Sequence, residues 1–188
     1  APGGAAARAA GGAAQADEAA DGDGDVVYSS LVLSRASHQR LRDLCAKVFE
    51  GGIPARWTVH CDHMTICMGP LSKPRTEDNR SVAAHLHARI AAYRDLQAFT
   101  VQVVSIGWDD NAMAVGVTGC LSCNRNPHIT AATAPNRQAS LSNLIRQWTM
   151  LPVSDQIPLE GLVWQRGGAR SERPPAWAWH RPGGPADG

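Results

Sequence analysis

Lysine is nearly missing from this chain: two of its 18 basic residues are lysine and the other sixteen are arginine. Aromatic residues are also scarce, at 5% of 188 residues. No apolar run approaches the roughly 20 residues that a membrane-spanning helix needs, and the alanine-rich start lacks the basic and leucine-rich regions of a secretory signal. Five cysteines are too few for a disulfide scaffold. A formal net charge of +1 falls well short of the basic excess of a domain that grips duplex nucleic acid. There is no initiating methionine, so Ala1 reads as a processed end or a cut from a longer chain. The expectation is a soluble intracellular protein, cytoplasmic or nuclear with an organelle left open, and no membrane partner.

The charge is unevenly spread. Residues 1–25 set Arg8 against Asp17, Glu18, Asp21, Asp23 and Asp25, a net of −4, and residues 166–188 carry a net of +2. Residues 26–165 are therefore mildly basic, at +3, which suits a small anionic ligand or a strand end. The preference for arginine reflects base composition of the gene as readily as phosphate recognition. Residues 1–25 have almost no bulky side chains and read as a disordered Ala/Gly/Asp-rich tail. Residues 166–188, rich in Gly, Pro and Arg, read as a second tail. Residues 26–165 form one domain, large enough to bury roughly two thirds of its unfolded surface without a metal or disulfide.

Within that domain, Val26 to Leu33 is β-branched and apolar and predicts a buried strand. Leu41, Leu44, Cys45 and Val48 recur at helical spacing, which predicts a helix from Ser37 to Phe49 ended by Gly51 and Gly52. Trp57 to Met68 reads as a long or broken strand, and Ser81 to Tyr93 as a helix. Phe99–Trp108 and Ala112–Val117 flank Asp109-Asp110-Asn111, a hairpin pattern. A short strand at His128–Thr133, a helix from Ser140 to Trp148 with Ser140 as its cap, and a strand at Glu160–Gln165 complete the domain. Strands mixed with few helices predict an α+β fold with antiparallel sheets.

One short pattern occurs twice, as His63-Met64-Thr65-Ile66 and His128-Ile129-Thr130-Ala131, each on a strand candidate. Residues two apart on a strand share a face, so each copy presents an imidazole beside a hydroxyl. Two such strands side by side would meet a phosphate with a base, an acid and two hydrogen-bond donors, a set sufficient for phosphodiester chemistry without a metal or other cofactor. Alternation puts Cys61 and Cys67 on the motif face. Cys67 is then a cleft residue open to thiol reagents, and His60 points away.

The two motifs, the strand and hairpin FTVQVVSIGWDDNAMAVGV, and the run NPHITAATAP followed by SN resemble the 2H phosphoesterase superfamily. The likeness is strongest to its LigT-like members and to the cyclic phosphodiesterase domain of plant- and fungal-type tRNA ligases. It covers residues 26–165 and implies a bilobal fold, with two pseudo-symmetric lobes whose antiparallel sheets line a central cleft. It implies hydrolysis of a 2′,3′-cyclic phosphate at an RNA 3′ end, or of a nucleotide 2′,3′-cyclic phosphate, leaving a 2′-phosphate, in RNA repair or tRNA splicing. His63 and His128 match the catalytic histidines, with the roles of base and acid open, and Thr65 and Thr130 match the phosphate-binding hydroxyls. Ala131 stands where the family often has a bulkier residue. A ligase or kinase would be a separate partner or a covalently linked domain outside this chain.

Other readings stand beside this one. The histidines could be hydrogen-bonded structural residues, the substrate could be a 2′-5′ phosphodiester or a small cyclic nucleotide, or the cleft could bind an RNA end without turning it over. Trp57, Arg125 and Trp148 are candidate contacts to an unpaired base, with both tryptophans alternatively core residues. Trp177 and Trp179 belong to the C-terminal tail, as partner contacts or as part of a disordered end. Cys120-Leu121-Ser122-Cys123, taken with Cys61, His63 and Cys67, invites a zinc reading or a redox pair, but lacks the second ligand pair that a zinc site needs. His85 and His87 read as surface residues.

Overall fold

A computed structural model describes residues 26–167 and 173–180. The expected N-terminal tail, together with residues 168–172 and 181–188, lies outside the described residues. The described chain runs β1 (Val26–Leu33), α1 (Arg35–Val48), β2 (Thr58–Val59), β3 (His63–Met68), α2 (Ala84–Ala91), β4 (Ala98–Trp108), β5 (Ala112–Thr118), β6 (His128–Thr133), β7 (Trp148–Met150) and β8 (Pro158–Gly167). Short 3₁₀ turns occupy Ala139–Leu144, Val153–Asp155 and Ala176–His180.

Local chemistry explains most of these boundaries. Ser34, not Ser37, caps α1, its side chain accepting from the Ser37 amide at 3.2 Å. The Ser37 hydroxyl instead accepts from the Glu160 amide at 2.8 Å and ties the helix to β8. The helix expected over Ser140–Trp148 is only a 3₁₀ turn starting after Gln138, which makes no side-chain cap bond. The Ser142 hydroxyl lies 2.7 Å from the Ala139 carbonyl, a local contact that competes with helix, and the backbone at Trp148 is drawn into pairing with Gly107 of β4. The last strand runs two residues further than composition suggests, because Val26 pairs with Gly167 at the far end of β1.

All pairings are antiparallel, and the strand order is β2-β6-β3-β1-β8-β4-β5. An additional β5–β6 pairing closes six of these strands into a barrel, with β7 alongside β4. The α+β class and the antiparallel pairing agree with the sequence reading. The expected division into two sheets, one per lobe, does not appear in this strand order: β6 pairs with β3 on one side and β5 on the other, so there is a single closed sheet.

Alternate residues of each barrel strand supply the core: Leu31 and Leu33, Met64 and Ile66, Val101 and Val103, Val115 and Val117, Ile129 and Ala131, Leu159 and Val163. Leu41, Leu44 and Cys45 of α1 extend it. At Gly161 the β1 backbone passes so close that a Cβ would lie 2.7 Å from the Val32 carbonyl oxygen. On another face, Ala178 and the buried Trp179 pack on Leu162, so part of the C-terminal segment belongs to the folded body. No helix among the described residues is long and apolar enough to cross a membrane.

Candidate functional site

The Met64–Ile129 pair sets the register between β3 and β6, with both side chains fully buried in the barrel. Alternation then turns His63, Thr65, His128 and Thr130 to the opposite face, His63 next to Thr130 and Thr65 next to His128. All four line one cavity of about 410 Å³. The two histidines are diagonal cross-strand neighbours, a spacing of roughly 7–8 Å between backbones.

His63 is the more open of the two, with its side chain 30% exposed. Its Nδ1 donates to Asp62 Oδ1 at 3.0 Å, and both side chains line the cavity. Burial pushes the Asp62 carboxyl up, but the His63 hydrogen bond, the His63 charge and Arg173 outweigh it and hold Asp62 at about 2. It is therefore a carboxylate at neutral pH. The Tyr28 ring stacks on His63 at 5.7 Å, and Arg166 Nη1 donates to the Tyr28 hydroxyl at 3.2 Å. Tyr28 and Arg166 line the same cavity.

His60 also lines it, contrary to strand alternation, and pairs through Nε2 with Thr133 Oγ1 at 3.1 Å. The strand is broken between Val59 and His63, and Cys61 takes a left-handed φ of +57°, which resets which residues face out. From Val59↔Ala132 to Met64↔Ile129, this side advances five residues while β6 advances three.

His128 is only 5% exposed. Its Nδ1 faces the Asn126 carbonyl at 2.7 Å, a pure acceptor, so Nδ1 carries a hydrogen. Its Nε2 lies 2.8 Å from Ser142 Oγ, which is also 2.9 Å from Thr130 Oγ1 and 2.7 Å from the Ala139 carbonyl. One serine hydrogen cannot serve both His128 and Ala139. With neutral His128 the hydroxyl turns to Nε2; with charged His128 it turns to Ala139 and accepts from Nε2–H. Burial lowers the proton affinity of His128 and favours the neutral state, outweighing the Asn126 carbonyl.

Because the folded state binds that proton less readily than the unfolded chain, stability is full above about pH 6.5 and declines as pH falls below it. Urea midpoints measured from pH 7.5 to 5 should fall towards acid, with a shallower slope in His128→Gln. Equal slopes would mean that His128 is not held neutral.

The remaining sequence candidates scatter. Cys67 does not line the cleft: it is 1% exposed and packed in the core. A bulge opposite Ser29 and Ser30 turns both Ile66 and Cys67 inward and sends Met68 to the cavity instead. A hydrogen bond with Cys123, then burial, push the Cys67 thiol up, which makes it a poor target for thiol reagents. Cys120 lies near the Tyr93 hydroxyl and burial pushes it up to about 11, whereas Cys123 hydrogen-bonds Cys67; both thiols are free. All five cysteines are free, and among the described residues no three His, Cys, Asp or Glu side chains converge as metal ligands would.

Trp57 packs against the core, away from the cavity. Arg125 and Trp148 line a second, adjoining cavity. Trp148 comes not from a helix but from β7, its ring 5.8 Å from His128. His85 and His87 are exposed on α2. Asp62, His60, Tyr28, Ser142 and Arg166 were missed as site residues; the signal for Asp62, adjacency to a motif histidine, was present, while the others depend on tertiary folding. No family model matches the chain, and no curated protein matches it.

Proposed function

We propose that this chain is a 2H-type phosphodiesterase that hydrolyses a 2′,3′-cyclic phosphate at an RNA end without a metal, the two halves of its fold meeting at the β3–β6 seam. The observation carrying this reading is that both His-x-Thr motifs line one cavity from adjacent strands. Two imidazoles, one buried and favoured neutral, the other beside a carboxylate, have the asymmetry that acid–base catalysis needs.

His128 is the base and His63 the acid in this reading. A water oxygen attacks phosphorus in line, its proton passing to His128 Nε2. The P–O3′ bond breaks, and His63 Nε2 gives its proton to the departing O3′, leaving a 2′-phosphate. The two rings then exchange protons with solvent and return to their starting states. Asp62 supplies the counter-charge for the His63 imidazolium, and Arg166 adds positive charge beside the phosphate. Thr65 and Thr130 donate to the non-bridging oxygens.

Ser142 Oγ, between His128 Nε2 and Thr130 Oγ1, occupies the position of such an oxygen, and bound phosphate takes over both contacts. The same Ser–His–carbonyl geometry could activate a serine nucleophile. Ser142 is only 2% exposed, and its hydroxyl is committed to three partners, which favours the stand-in role.

The test is incubation of purified protein with a nucleoside 2′,3′-cyclic phosphate in excess chelator, with products read by ³¹P NMR. The expected result is a 2′-monophosphate. No turnover, or turnover only of 3′,5′-cyclic or 2′-5′-linked substrates, overturns the assignment.

A further inference from the structure

The second cavity, of about 1320 Å³, adjoins the first: His128, Ser142, Asn143, Asn124 and Glu77 border both. It is over three times the volume of the motif cavity and larger than the ~300–1,000 Å³ of an ordinary small-molecule site. Its walls combine cationic, planar and amide groups. Arg125 and Arg146 are exposed, and among the described residues neither guanidinium has an ion pair or hydrogen bond. Arg80 is committed to Asp78 at 2.6 Å, and Glu77 is engaged by the Asn143 amide, so these two acids are already partnered. The half-buried Trp148 ring flanks His128, Asn126 adds an amide, and Leu144 lies 65% exposed at the rim.

We infer that this second cavity is a subsite for the single-stranded RNA leading up to the cyclic end, with Arg125 and Arg146 on its phosphates and Trp148 against a base. This rests on the proposed reaction at the adjoining site. Two unpaired guanidiniums select an anion, and an indole beside them selects one that carries flat rings. The shared border sets the two cavities side by side, so that in this inference a terminal nucleotide whose phosphate lies between His63 and His128 extends its 5′ side into the larger cavity. Residues 26–165, with a net charge of only +3, suit a short strand end better than a duplex.

The experiment compares a mononucleoside 2′,3′-cyclic phosphate with a trinucleotide ending in the same group. For the wild type, KM for the trinucleotide should be about tenfold lower. Arg146→Ala and Arg125→Ala should each remove about threefold of that advantage, and the double variant nearly all of it. In parallel, a fluorescein-labelled trinucleotide with a terminal 2′-phosphate, followed by anisotropy, reads binding alone. The slope of log affinity against log salt should shrink by about 0.7 for each arginine removed. Both arginines are exposed, and thermal unfolding of the variants verifies that they fold. Equal KM values for the two wild-type substrates, or a trinucleotide advantage that survives in the double variant, overturn the subsite. Absence of turnover with either substrate, combined with arginine-dependent binding of the labelled trinucleotide, overturns the reaction and supports the subsite.

Discussion

His63→Ala and His128→Ala should each lower kcat for a 2′,3′-cyclic nucleotide by about 10²–10⁴-fold, the range for losing one positioned acid or base. The double variant should lose little more, because the two histidines act as a unit on one phosphate. Circular dichroism and a urea titration separate this effect from unfolding. His63, part-exposed and joined to Asp62, should be removable at little cost to stability. His128 is bound at both nitrogens, so its removal leaves the Asn126 carbonyl without its side-chain donor, takes one of three contacts from Ser142 and empties a buried site, and should cost more. The pH dependence is expected to carry its own signature: kcat/KM rises as His128 loses its proton, on a limb below the ordinary histidine value because burial lowers its affinity. Full activity in either single variant would remove the two-histidine mechanism.

Ile129→Ala should have the largest effect on stability, a loss of about 2–5 kcal/mol in urea unfolding at neutral pH. Ile129 is fully buried near the start of β6, opposite Met64 on one side and Val115 on the other. β6 is the strand that closes the barrel, so a cavity there loosens both seams at once. The same pairing holds the two motifs together, so activity should disappear at a lower temperature in the variant, in step with unfolding. A cost below about 1 kcal/mol would mean that the barrel interior behind the motifs is not close-packed.

Much of this was legible in residue order. The hairpin over β4 and β5, the strand at His128–Thr133 and the placement of both motifs on strands follow from period-two patterning and turn residues, which are local properties. Where the reading failed, a non-local contact had overridden a local preference. The pattern Leu141, Leu144, Ile145 and Trp148 looked helical, but pairing with β4 claims Trp148. Cys67 follows strict alternation until the bulge opposite Ser29 and Ser30 reverses it. The Arg166 boundary came from composition, which is blind to a backbone ladder reaching Gly167. His60 was misread because the positive φ at Cys61 carries no glycine signature. Closure of the sheet, set by β6 pairing with β5 12–21 residues away and with β3 65 residues away, leaves no trace in any short window.

That closure has a consequence for selectivity. An enzyme whose acid and base sit on separate bodies can adjust their distance by a hinge, tightening around a good substrate. Here the two motif strands are neighbours in one closed sheet, joined at Met64–Ile129, so the backbones that carry His63 and His128 cannot part without breaking that pairing. For the proposed reaction, discrimination would then rest on fit to a site whose backbone width is fixed. The groups that can still be tuned are those bordering it from outside: Tyr28, Arg166 and the hydroxyl of Ser142.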